Sequence, residues 1–349
     1  LKQKIISVIL SIIINLNLSL KLIKIRGLLS MIFGLKKINK ILPLQIGFNY
    51  SKNNYFDTNS QIWKEILKNK IEFKLPKKNS YYKDKFIALH IKDWSHSEIN
   101  EITNEAVSDI ENCKKSIEYL TQNNFKVVRI GNKFSKKFDF KNDFFYDSTL
   151  SDCSLPHQYL NYANCEFFFG SSTPGCAVAE FFDKKKLIIN SPDQWWNNGQ
   201  SFNKNNFILF KKIFSYKEDR ILSLEEILSD QSLLVDGFKT VRKSKNLIYI
   251  DNSPQEILDI VKSYINLNYN QEREDESLLQ QYLDLRLKNI NNFLRDKNNI
   301  EHHPRYYEVK MYKYAEINIP SSFLKNYLFQ SSELIEQSSK AKKEKINFL

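Results

Sequence analysis

The distribution of apolar residues changes character at Phe86. FIALHI (86–91) is a continuous apolar run of strand length, DIENCKKSIEYLTQNN (109–124) carries Ile110, Cys113, Ile117 and Leu120 on one helical face, and FKVVRIG (125–131) reads as a second strand. Strands that are apolar throughout, without alternation, belong to parallel sheets covered on both faces. A right-handed strand–helix–strand crossover is the topology expected of them. A polar loop, a weak strand near Phe144 to Tyr146 and a short helix near Pro156 to Tyr162 lead into CEFFFGSSTPGCAVAEFFDKKKLIIN (165–190). That stretch reads as strand, hydroxyl-rich turn, helix, strand. Pro174 suits a first helical position because its fixed φ is already helical and its missing N–H is not needed there, with Thr173 as the N-cap.

Either side of this core the pattern is looser. Residues 5–20, IISVILSIIINLNLSL, carry no charge but fall short of a spanning helix, and Lys21, Lys24 and Arg26 follow. Three readings stand: a buried element of an N-terminal domain, a basic amphipathic helix on a membrane surface, or a signal anchor, with peripheral contact at the cytoplasmic face preferred. Residues 51–84 are polar around one helix near Ile62 to Leu67. Beyond Asn190 come a polar loop holding Trp195 and Trp196, the run FILFKKIF (207–214), and two capping boxes, SLEE (223–226) and SPQE (253–256). Two helices are expected within 254–298, the second apolar at Leu279, Leu283, Leu287 and Ile290. The expected architecture is α/β: a small N-terminal region over 1–80, a Rossmann-like domain with helices on both faces of its parallel sheet over 81–250, and a helical C-terminal extension over 251–349.

Composition narrows the function classes. With 349 residues, 42% of them hydrophobic, the chain is long enough to bury a sizeable core. The net charge of +12 favours nucleotides, anionic lipid or acidic glycans, although Lys, Asn and Ile abound from end to end and dilute that signal. No basic cluster coincides with a nucleic-acid-reading module, so nucleic acid is not an expected partner. Cys113, Cys153, Cys165 and Cys176 are widely spaced and form no C-x-x-C pair, which points to free thiols rather than disulfides or zinc. Without a G-x-G-x-x-G fingerprint, nicotinamide and flavin enzymes are disfavoured.

Open parallel sheets bind ligands beyond the carboxyl ends of their strands, so residues at those ends are the candidates for chemistry. At the end of the first strand stand His90, Lys92 and Asp93, with His96 in the loop beyond. Lys92 is suited to neutralising a diphosphate, whereas the Lys-Asp pair also fits an ordinary surface pair. His90 is either a core histidine with both ring nitrogens satisfied or a ligand contact. Asp93 or His96 would serve as general base for an acceptor hydroxyl. Ser171, Ser172, Thr173 and Gly175 open a helix whose first N–H groups, together with the hydroxyls, suit phosphate oxygens; a plain turn with an N-cap explains them too. Glu180 either accepts from ribose hydroxyls or faces solvent, and Asp147 is a further ligand-edge carboxylate or a turn cap. No D-x-D occurs, so a sugar transferase built on this chain would be metal-independent and take a nucleotide sugar as co-substrate, with no cofactor.

Between about Phe86 and Leu228 the chain resembles a bacterial glycosyltransferase family encoded with surface-polysaccharide genes, of GT-B-like fold and distantly similar to fucosyltransferase-type enzymes. The resemblance rests on FIALHIKD, YLTQNNFKVVRIGN, ANCEFFFGSSTPG, LIIN, ILFKK and SLEEIL in that order, with INIPSSFLKNYL near the end. It implies transfer of a sugar from a nucleotide-diphosphate donor to a cell-surface glycan or lipid-linked acceptor. The donor would be bound by His90, Lys92 and Asp93 on one side and by Ser171, Ser172, Thr173 and Gly175 on the other. Two departures stand out. Lys92 replaces the family's arginine and loses bidentate phosphate binding; an Arg-Asn pair is replaced by Glu105-Ala106-Val107-Ser108. They leave open a non-catalytic member that binds a nucleotide or glycan without turnover.

Overall fold

Six strands, β1 (Phe86–His90), β2 (Lys126–Arg129), β3 (Phe145–Asp147), β4 (Phe167–Ser171), β5 (Lys185–Ser191) and β6 (Phe207–Phe210), form one sheet in the order β3-β2-β1-β4-β5-β6. All five pairings are parallel. The computed structural model describes residues 85–93, 107–151, 153–182, 184–192, 206–270, 276–296 and parts of 298–339; the side chains of Leu155, Pro156, Pro174, Ala177, Glu180 and Phe181 are outside the described set. Residues 1–84, with their expected membrane-contacting segment, the segment 94–106 holding His96 and the segment 193–205 holding Trp195 and Trp196 lie outside the described residues. Among the described residues no helix is long and apolar enough to cross a membrane.

The expected helix begins as a short 3-10 turn, Ile110–Cys113, whose N-cap Asp109 accepts from Glu111 N, and continues as α1 (Lys114–Gln122). Its predicted face is borne out: Ile110, Cys113, Ile117 and Leu120 are all fully buried. The remaining helices are α2 (Leu155–Asn164), α3 (Pro174–Phe181), α4 (Leu224–Ser229), α5 (Gln231–Lys243), α6 (Pro254–Ile265), α7 (Ser277–Arg295) and α8 (Ser321–Tyr327). Both capping boxes form, Ser223 with Glu226 and Ser253 with Glu256.

Strand β4 shows how both sheet faces are covered. Phe167 meets Tyr264 of α6 at 4.5 Å between ring centroids, while its neighbour Phe168 meets Tyr162 of α2 at 6.1 Å. Successive residues of a strand point to opposite faces, so α6 and α2 pack on opposite sides. Phe167, Phe168 and Phe169 are all buried, and each contributes about 1.5–3 kcal/mol of transfer free energy.

The run FILFKKIF contributes to two strands in two sheets. β6 ends at Phe210, and after Lys211 the chain enters β7 (Lys212–Ser215), the centre of an antiparallel sheet with β8 (Arg220–Ile221) and β9 (Leu247–Ile250) in the order β8-β7-β9. One correction falls on α7. Of its predicted apolar positions only Ile290 is buried, and the buried stripe runs Tyr282, Arg286, Ile290, Phe293. An arginine inside that stripe shifts the buried face away from the leucines that hydrophobicity alone selects. The closing segment also finds a place: Ile208 N donates to Asn318 O (2.9 Å) and Asn318 N to Asn206 O (3.0 Å), extending the β6 edge.

Candidate ligand site at the strand switch point

In a sheet ordered β3-β2-β1-β4-β5-β6 the chain runs outward from β1 through β2 to β3, then returns to the other side of β1 with β4. The crevice beyond the carboxyl ends of β1 and β4 is therefore the switch point at which such sheets bind ligands. The two candidate segments of the sequence, His90–Asp93 and Ser171–Gly175, end these two neighbouring strands.

They are stitched together. His90 is in register with Gly170, and just beyond that pair the Lys92 N–H donates to Ser171 Oγ at 2.9 Å. Ser171 is fully buried, so its hydroxyl works inside the fold as this tie. Ser172 and Thr173 are half-buried. Gly170 permits the close approach: a Cβ there would lie 2.1 Å from the His90 carbonyl oxygen. Gly175, second residue of α3, does the same for side chains, since its Cβ would fall 2.5 Å from the Tyr162 hydroxyl and 2.7 Å from His90 Nδ1.

His90 lies beneath that first turn, its Nδ1 2.6 Å from Tyr162 Oη and 3.4 Å from Thr173 Oγ1. Burial, and then the nearby Arg129 guanidinium, push its pKa down to about 4, so the imidazole is neutral around pH 7. The unfolded chain takes up this proton near the ordinary value of 6.5, whereas the folded protein refuses it until about pH 4. His90 thus contributes instability that is absent above pH 6.5 and grows as pH falls towards 4, reaching at most about 3 kcal/mol. In chemical denaturation from pH 7 to pH 4, His90→Gln should lose stability less steeply than the wild type. Parallel pH profiles would show that His90 is not held neutral.

Asp93 occupies a different environment from the one expected of a general base. It is 3% exposed and its Oδ2 accepts from Arg129 Nη2 at 2.7 Å. Arg129, the last residue of β2 and 1% exposed, also donates through Nη1 to Asp147 Oδ2 at 2.7 Å and through Nη2 to the Lys136 carbonyl. Burial pushes the Asp93 carboxyl above its ordinary pKa while Arg129 pulls it the other way; Oδ1 is buried with no partner among the described residues. Asp147 caps the turn that follows β3, its Oδ1 accepting from Thr149 N (3.0 Å) and Oγ1 (2.6 Å). The two carboxylates therefore meet across Arg129, at the ends of strands one and three places away from the serine turn.

Further along the same edge Lys211 Nζ pairs with Asp251 (2.6 Å) and donates to the Val107 carbonyl (2.8 Å), while Ser108 N donates to the Lys92 carbonyl (2.9 Å). Asn190, at φ 52°, and Asn252 exchange backbone-to-side-chain hydrogen bonds of 2.8 and 2.6 Å, joining the end of β5 to the start of α6. His96 and the side chain of Glu180 lie outside the described residues. Sequence reasoning missed Arg129, Tyr162, Lys211 and the asparagine pair. Arg129 had a signal, a lone charge in the apolar run VVRI; Tyr162 had none, since its partner is 72 residues away.

No family model, no curated protein and no solved structure matches this chain.

Proposed function

We propose that this protein is a metal-independent glycosyltransferase of GT-B-like architecture, moving a sugar from a nucleotide-diphosphate donor to a cell-surface glycan or lipid-linked acceptor. The first 80 residues would serve the acceptor side, at or near the cytoplasmic face of the membrane. The observation that carries the reading is the switch point itself: β1 and β4 are adjacent, and Lys92 N–H bonds Ser171 Oγ at 2.9 Å across their ends. A diphosphate in that crevice would meet the half-buried Lys92 and the start of α3, where helix N–H groups and dipole favour an anion.

One observation favours the second reading, a non-catalytic nucleotide or glycan binder. Asp93 is buried against Arg129, so of the two candidate bases only His96 remains for deprotonating an acceptor.

A thermal-shift panel of GDP, UDP, CDP, ADP and dTDP tests the donor site. A ligand at about 100 times its dissociation constant stabilises the fold by about 2.7 kcal/mol. Lys92→Ala should reduce that shift while keeping the tie to Ser171, which uses the Lys92 backbone N–H that alanine retains. A flat panel removes the donor site. Release of nucleoside diphosphate from a panel of nucleotide sugars with cell-derived acceptor then separates enzyme from binder.

A further inference from the structure

The Tyr162 hydroxyl is buried, and its one hydrogen-bond partner among the described residues is His90 Nδ1 at 2.6 Å. Two arrangements fit that contact. If Nδ1 carried the proton and donated it, the phenolic hydrogen would be buried with no acceptor, the costlier outcome for a buried polar group. If the hydroxyl donates, Nδ1 accepts and the imidazole proton resides on Nε2. Burial raises the Tyr162 pKa well above its ordinary value, which keeps that hydroxyl a donor.

Nε2 has no partner among the described residues: both hydrogen bonds of His90 fall on Nδ1, and the residue is not fully buried. A core histidine kept only for packing would have both nitrogens satisfied. Here one nitrogen is held from beneath by α2 and the other is left over, on a residue that ends β1 beside the switch point. We propose that Tyr162 is a positioning residue that locks His90 as its Nε2–H tautomer, making it a neutral hydrogen-bond donor to an anionic oxygen bound where β1 and β4 end. The identity of that oxygen, a diphosphate oxygen, rests on the donor-site reading; the tautomer does not. Of the charged and titratable groups nearby, Tyr162 from α2 bonds the ring and Arg129 from β2 further disfavours its protonation, while Cys176 from α3 and Cys165 and Tyr159 act on the Tyr162 hydroxyl. Gly175 belongs to the same device, because any side chain there would intrude on both members of the pair.

Nitrogen-15 spectra of the full chain, with the His90 signals assigned by their loss in His90→Gln, read the tautomer directly. The expected result is an Nε2–H form in the wild type, a mixed population in Tyr162→Phe, and about tenfold weaker binding of the best nucleoside diphosphate by that variant. His90→Gln, which keeps an N–H donor, should retain more binding than His90→Leu. An Nδ1–H wild type overturns the proposal, as does a Tyr162→Phe protein with unchanged tautomer and affinity. If the wild type shows the Nε2–H form but binds neither any nucleoside diphosphate nor inorganic pyrophosphate, the ligand half falls together with the donor-site reading and the tautomer half stands.

Discussion

Arg129→Met should lower stability by about 3–5 kcal/mol, the largest loss expected of any single side-chain replacement near the site. The guanidinium is almost fully buried and bridges Asp93 and Asp147, each at 2.7 Å. Removing it leaves two carboxylates facing a low-dielectric space without a cation, and the desolvation penalty of both is then uncompensated. The deficit has a predictable pH dependence. In the variant Asp93, whose carboxyl burial already holds above its ordinary range, loses the cation that pulls it the other way and rises further, so the folded protein holds a proton that the unfolded chain has released. Stability then falls as pH rises through that window, and the gap to the wild type should be widest near pH 7 and narrow towards pH 4. Combining Arg129→Met with Asp93→Asn and Asp147→Asn should recover much of the loss, since neutral groups do not need the cation and an asparagine in place of Asp147 can still cap Thr149. Denaturant midpoints at pH 7 and pH 5 measure this. A loss below about 1 kcal/mol for the single variant would mean that the buried bridge is not closed as described.

The same network marks how far the sequence could be read. The strands FIALH, KVVR and FFFGS and the helical face of Ile110, Cys113, Ile117 and Leu120 announce themselves because burial on one or both sides leaves a local periodic trace. Their adjacency does not. Parallel pairing of β1 with β4, which makes the switch point, joins strands about 80 residues apart, and no local pattern encodes it. Asp93 was visible as a strand-end carboxylate, but its role depends on Arg129, 36 positions on and one strand away. The break at Lys211 was hidden for a related reason: an apolar run passes from one sheet into another without a turn residue. On α7 a tyrosine and an arginine occupy the buried stripe that the leucines seemed to claim by hydropathy.

Gly170→Ala carries the second large effect, and it reaches function as well as stability. The added Cβ would lie 2.1 Å from the His90 carbonyl oxygen and 2.9 Å from its carbon. Both are backbone atoms of a paired central strand, so neither can rotate aside, and β1 and β4 must part at their carboxyl ends. Overpacking of this kind costs about 1–3 kcal/mol and more where the backbone itself must move. The displacement falls beside the Lys92–Ser171 hydrogen bond and the His90–Tyr162 pair, so the crevice opens where the ligand would be held. Leu120→Ala is the control. Leu120 is fully buried near the end of α1, against the opposite, amino-terminal edge of the sheet, and its truncation costs about 2–5 kcal/mol without touching the switch point. Both variants should unfold at lower denaturant, but only Gly170→Ala should lose most of its nucleoside diphosphate-dependent thermal shift. A Gly170→Ala protein of wild-type stability contradicts the close approach of the two strands. One that is destabilised yet binds as the wild type does would mean that the ligand lies away from the ends of β1 and β4.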